Sequence, residues 1–312
     1  MFAEDLLREV RRAGYTPRAF LAYIRAIFAR VTRRLPLHAE LVRSIAATSV
    51  LLFSVQFAGA LTLSATMNRE LAVAYLVSSS AVLLLGTFWL LAHLGIVTSG
   101  GGSEESGRVL KRLPLPVTLT MLRLVSIPAI VLLIGAKAWG AATWLFVASA
   151  LTDVLDGVAA RALKQESHVG KVLDPVADIA FNASVFVALA QAGALPWWVA
   201  GLVVTRYAML IGGTLVLYVF HGPVRIEPTL FGKLSGVVMT TVVGLLLLGL
   251  ATWTEAVRQQ FHEVFVVGLA TLSLATILQA VFIGLANKKS AAPEIEVARS
   301  KKVVGDVRWP RR

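Results

Sequence analysis

The chain has 312 residues, 57% of them hydrophobic and 15% charged, with a mean hydropathy of +0.74 and a formal net charge of +12. Soluble domains carry about 45–50% apolar and about 25% charged residues, so this balance excludes a water-soluble globule as well as a disordered chain. The absence of cysteine excludes a disulfide framework, a thiol nucleophile and a cysteine zinc site, and the five histidines show no metal-ligand spacing.

Residues 1–43 carry nine Arg and no apolar core of the kind a signal peptide needs. Within them, residues 20–30 read as a basic amphipathic helix lying on a membrane surface. A spanning helix requires about 20 mostly apolar residues. Eight runs meet that length: 44–66, 71–97, 118–136, 141–163, 171–192, 195–219, 234–253 and 263–286. The Gly- and Ser-rich stretch at 98–109 is a flexible linker by composition. The expected organisation is a basic cytoplasmic segment (1–43), two extra transmembrane helices (44–97), the linker (98–109), a six-helix membrane domain (110–290) and a basic cytoplasmic tail (291–312), partly disordered. The fold class is all-α and polytopic.

Charge distribution orients these spans. With the N-terminus in the cytoplasm, 25 of the 30 Lys and Arg fall in cytoplasmic segments. Only Arg69, Lys137 and Arg258 fall on the other side, and Arg123 and Arg206 lie inside spans. So lopsided a split is the positive-inside pattern. The basic charge is thereby accounted for by topology and anionic lipid, and nucleic acid drops out as a partner.

The acids are the chemical signal. The chain has six Asp, and four of them, Asp153, Asp156, Asp174 and Asp178, occupy one 26-residue window in or beside apolar runs. A carboxylate at the bilayer centre costs about 2.5–3.5 kcal/mol on insertion scales, so four need an offsetting partner. Spacings of three and four residues put each pair on one helix face, and a short cytoplasmic hairpin makes the two helices neighbours. Both pairs then converge near the cytoplasmic interface. Facing carboxylates repel unless cations neutralise them, and all-oxygen ligands suit hard divalent ions. Four shared carboxylates suit two such ions, an arrangement that clamps phosphoryl groups. Gly157, Ala160 and Gly170 leave room for a ligand or a helix to approach closely, and Arg161 adds a fixed cation suited to phosphate.

Together these positions read Asp153-x2-Asp156-Gly157-x2-Ala160-Arg161-x8-Gly170-x3-Asp174-x3-Asp178. This run resembles the signature of the CDP-alcohol phosphatidyltransferase family at every fixed position. Four further stretches resemble its phosphatidylglycerophosphate synthase branch. They are Leu115-Pro116 through Thr120 and Arg123, Gly170-Lys171 through Asp178, Leu195-Pro196-Trp197-Trp198 with Arg206, and Gly232-Lys233. Val117, Ile179 and Tyr207 depart from that branch, which bears on the acceptor and leaves the reaction class untouched.

The resemblance implies a six-helix family bundle plus two N-terminal transmembrane helices. It implies transfer of a phosphatidyl group from CDP-diacylglycerol to an alcohol, first of all sn-glycerol 3-phosphate, with release of CMP. Inositol phosphate, phosphatidylglycerol and other alcohols stay open as acceptors. The four Asp would hold two divalent cations, Mg²⁺ or Mn²⁺, with Asp178 also the base that deprotonates the acceptor. Gly157, Ala160, Arg161, Gly170 and Thr120 would hold the CDP moiety. Arg123, Lys171, Arg206 and Lys233 are candidates for the acceptor phosphate. A homodimer in a bacterial inner membrane, with its site at the cytoplasmic face, is expected on the same ground. A transporter using intramembrane acids and a non-catalytic membrane scaffold are the readings from other classes.

Overall fold

A computed structural model describes residues 38–94, 97, 110–162, 167–221 and 230–305, together with Leu21 and Arg25. The expected surface helix at 20–30 and the linker at 98–109 lie outside this set. From residue 38 onward the elements are helices: α1 (Ala39–Thr66), α2 (Arg69–Ala92), α3 (Leu115–Gly135), α4 (Trp139–Ala162), α5 (His168–Gln191), α6 (Trp197–His221), α7 (Leu230–Thr252) and α8 (Glu255–Gly305). Turn chemistry separates them. Asn68 caps α2 by accepting from the Leu71 N–H at 2.7 Å. Ser167, just before α5, accepts from the Gly170 N–H at 3.2 Å.

Seven of the helices are long and apolar enough to cross a membrane. The eighth expected run falls on α6, whose apolar stretch among the described residues is the shorter Trp197–Leu210. Large side chains point outward along these helices: Trp144 is 78% exposed and Leu84 and Leu85 are 70% exposed. Apolar surface on that scale has its natural cover in lipid. α8 continues to Gly305, well beyond the apolar part and into the basic tail.

The chain divides into two compact units. The first contains α1, α2, α3, most of α4 and the first half of α5. Here the N-terminal helix pair is packed directly against α3. Lipid is as apolar as leucine, so helices in a membrane associate through close backbone approach and hydrogen bonds. Both are present. A Cβ on Gly59 would stand 3.2 Å from the Tyr75 ring, and one on Gly86 would press to 2.5 Å from the end of Met121. Ser79 donates to the Val125 carbonyl at 2.7 Å, and Gln56 donates to the Ser79 carbonyl at 3.3 Å. Leu41, Ile45, Leu83 and Leu90 share one buried cluster with Val117, Met121 and Val125 of α3 and Leu173 of α5. The second unit contains the start of α4, the rest of α5, and α6, α7 and α8, with α8 packed on α6 and α7.

Candidate active site

The first unit holds the acids, and α3 supplies their partners. Met121 and Val125 face the N-terminal helix pair, which turns Thr120 and Arg123 to another side of the same helix. Arg123 is 2% exposed and forms a bidentate bridge. Its Nη1 donates to Asp153 Oδ1, and its Nη2 donates to Asp156 Oδ2 at 3.1 Å. Asp153 and Asp156 sit three residues apart on α4, so one guanidinium fork spans both. A Ser126–Ser149 hydroxyl pair at 2.8 Å ties α3 to α4 a turn away.

From α5, Asp174 Oδ1 accepts the Thr120 hydroxyl at 2.8 Å, a proton shared with the Pro116 carbonyl at 3.0 Å. Asp156 lies within electrostatic reach of both Asp153 and Asp174. Gly170 stands close to the acids: a Cβ there would sit tightly, 3.3 Å from Ser167 Oγ, and in ordinary contact with Asp174 Oδ2 at 3.6 Å. Pro175 follows Asp174 inside α5, and a proline there has no N–H to give back to the preceding turn. Asp178, one turn further along α5, is half-buried. Gly157 and Ala160 are half-buried on α4. The side chains of Arg161, Lys171 and Lys233 lie outside the described set.

The expected convergence of carboxylates is therefore met in a different form. Asp153, Asp156 and Asp174 are drawn to α3, but among the described residues no three acids or imidazoles close into a metal-holding cluster. The physical reason is visible in the hydrogen bonds. Arg123 takes one oxygen each from Asp153 and Asp156, and Thr120 takes one from Asp174. The donor set still suits a hard cation. Three carboxylates share one guanidinium, leaving surplus negative charge, and every ligand atom offered is oxygen. Among the described residues Arg123 Nε is buried with no hydrogen-bond partner, so one donor of this arginine is unused.

Sequence reasoning assigned Thr120 to CDP and Arg123 to an acceptor phosphate; their partners here are the acids. It did not foresee the Ser167 cap or the Ser126–Ser149 tie. A signal for Arg123 was present, because an arginine in a span needs a carboxylate or an anion near it.

The second unit buries its own arginine. Arg206 on α6 is 5% exposed. Its Nη2 donates to Ser235 Oγ at 3.0 Å and its Nη1 to Met239 Sδ at 2.8 Å, both on α7. Its guanidinium lies 5.3 Å from the Tyr207 ring centre, and its Nε is buried without a partner. Among the described residues no carboxylate forms a salt bridge with it.

Seven helices of spanning length and a carboxylate–arginine cluster among the described residues define a polytopic helical membrane protein. Residues 113–284 match the family model for CDP-alcohol phosphatidyltransferase, and the chain belongs to that family. It is 37% identical over 124 residues to a Mycobacterium tuberculosis protein whose name assigns it to the cardiolipin synthases, covering 39% of this chain and 58% of that protein. A second M. tuberculosis protein, whose name assigns it to the phosphatidylglycerophosphate synthases, is 31% identical over 169 residues, covering 52% of this chain and 76% of that protein. The cardiolipin synthase (CMP-forming) of Streptomyces coelicolor is 35% identical over 105 residues, 32% of this chain and 49% of that protein. The chain thus spans 58% of the length of the mycobacterial cardiolipin synthase relatives it matches. No solved structure matches it.

Proposed function

We propose that this protein transfers a phosphatidyl group from CDP-diacylglycerol to an alcohol, with sn-glycerol 3-phosphate as the first acceptor to test. The observation that carries the reading is the gathering of Asp153, Asp156 and Asp174 onto Arg123 and Thr120 of α3. Asp153, Asp156, Asp174 and Asp178 would hold Mg²⁺ or Mn²⁺. Bound there, the ions supply neutralisation of the donor's pyrophosphate charge. Gly157, Ala160, Arg161 and Gly170 cradle the CDP moiety, with Thr120 orienting Asp174 beside it. Asp178 takes the proton of the acceptor hydroxyl. The acceptor oxygen then bonds to the phosphorus carrying diacylglycerol, the bond from that phosphorus to the CMP oxygen breaks, and CMP departs with the electron pair. Most of the rate in such a transfer comes from positioning and electrostatics.

Arg206 grips the acceptor phosphate in this reading, with Lys171, Lys233 and Arg123 as further cations. A buried guanidinium whose described partners are neutral is suited to an anionic ligand. In this reading the chemistry lies at the cytoplasmic face of a bacterial inner membrane, as the distribution of Lys and Arg along the sequence favours, and a homodimer is the expected assembly. The 37%-identical relatives bearing cardiolipin synthase names favour a second acceptor, phosphatidylglycerol.

The test is CMP release by purified full-length protein, with CDP-diacylglycerol and Mg²⁺ or Mn²⁺, against a panel of alcohols. Metal-dependent release with glycerol 3-phosphate supports the leading reading. Release with phosphatidylglycerol alone supports the second. No release with any alcohol, from protein that is folded and binds metal, removes the transferase proposal.

A further inference from the structure

The second unit contains a cavity of about 360 Å³, within the roughly 300–1,000 Å³ of ligand pockets. Its walls come from the three turns that join α3 to α4, α5 to α6 and α7 to α8. A cavity built from helix ends sits at headgroup depth, and Trp139 and Trp253 in its lining are the residues that favour that layer. Its floor is apolar, with Ala194 and Leu246 buried. Its mouth is polar and carries Lys137, Arg258, Gln259 and His262.

Three features separate this mouth from an ordinary surface dip. First, only three cations of the chain fall on the sparsely charged side, and two of them, Lys137 and Arg258, line this one cavity. Second, Lys137 holds a left-handed backbone at φ 55°, a conformation that costs a side-chain-bearing residue about 1 kcal/mol and that any glycine would adopt freely. Strain of this kind persists where a side chain is needed in place. Third, Arg258 Nε is buried with no hydrogen-bond partner, while Nη1 is held by Glu255 at 3.2 Å. Glu255 fixes the guanidinium and leaves the lining with a net positive charge. The aromatic wall is rigid: Trp253 folds back over Gly249, where a Cβ would come within 2.7 Å of its ring, and packs on Phe261 and Phe265.

We propose that this cavity binds the phosphate of an anionic phospholipid. Lys137 and Arg258 grip the phosphate by charge-assisted hydrogen bonds. Gln259 and His262 meet the polar remainder of the headgroup, and the apolar floor and Trp253 take the start of the chains. The ligand chemistry rests on the lining alone.

The test uses full-length protein in detergent and native mass spectrometry, titrated with dioleoylphosphatidylglycerol and, in parallel, with dioleoylphosphatidylcholine. The anionic lipid should bind about tenfold more tightly than the zwitterionic one. Lys137→Gly is the informative variant, because it removes the cation and relieves the backbone. It should weaken the anionic lipid about fivefold or more with an unchanged or raised melting temperature. Lys137→Arg should restore binding, and Arg258→Gln should weaken it to a similar degree. Equal binding of the two lipids, or wild-type affinity in the Lys137→Gly, Arg258→Gln double variant, overturns the proposal. A third arm adds inorganic phosphate. Displacement of the lipid at millimolar phosphate would assign the same cations to a free phosphate and overturn the lipid source.

Discussion

Among the described residues two arginines are buried in apolar helices, one in each unit, and they are solved differently. Arg123 is held by Asp153 and Asp156, so its charge is answered within the fold. Arg206 is held by a serine hydroxyl, a methionine sulfur and a tyrosine face, so its described partners are all neutral. The cost of burying a charge is the same in kind for both. The difference teaches that the first arginine is part of how the acids are arranged, whereas the second is held, among the described residues, by neutral groups alone.

Substitutions can break that comparison, beginning with the largest effect. Asp178→Asn sets the scale for chemistry alone. It should lower kcat by about 10²–10⁴-fold while the KM for CDP-diacylglycerol and the melting temperature stay near wild type; steady-state CMP release and a thermal melt together check this, and retained turnover removes Asp178 as the base. Arg123→Gln should destabilise the first unit by about 3–5 kcal/mol, since it strands two acids that the fold has paired. Adding Asp156→Asn to that variant should recover part of the loss, and denaturation of the single and double variants measures the coupling. If Arg206→Gln proves equally destabilising, the contrast between the two arginines fails.

A milder and more selective outcome is expected of Arg206→Gln. The KM for a phosphate-bearing acceptor should rise about tenfold, the worth of one lost charge-assisted contact, with little change for CDP-diacylglycerol. An equal rise for both substrates would withdraw Arg206 from the acceptor. The smallest effect belongs to the docking of the N-terminal helices. Ser79→Ala removes the hydrogen bond to Val125 and should cost about 0.6 kcal/mol, the average for such bonds between membrane helices. A reversible unfolding assay in micelles would resolve it, and a loss of several kcal/mol would mean that the helix pair governs the site more strongly than its packing indicates.

Much of this arrangement was legible before any coordinates. Hydropathy alone located seven of the crossing helices, because 20 apolar residues admit few other readings. The four acids announced themselves by their cost in lipid. Arg123 could have been paired as well: it and Asp153 lie 15 residues either side of position 138 in the α3–α4 turn. An antiparallel hairpin folded there brings them level. The same count about position 165 sets Asp156 against Asp174, nine residues on each side. What sequence could not supply was competition for the carboxylate oxygens. Whether Thr120 donates to Asp174 or to a nucleotide depends on rotamers and helix rotation, which hydrophobic pattern does not encode. The docking of α1 and α2 on α3 was hidden for a related reason. Gly86 and Ser79 are ordinary residues in a span until a partner helix stands against them.

The Arg123 bridge also bears on how the chain enters the membrane. Alone, α3 would carry an unanswered guanidinium into hydrocarbon, at about 2.5–3.5 kcal/mol on insertion scales. Its counter-charges belong to α4, the next helix to be synthesised. The two are cheapest to insert together, as a neutralising hairpin, so α3 is best held at the insertion machinery until α4 has been made.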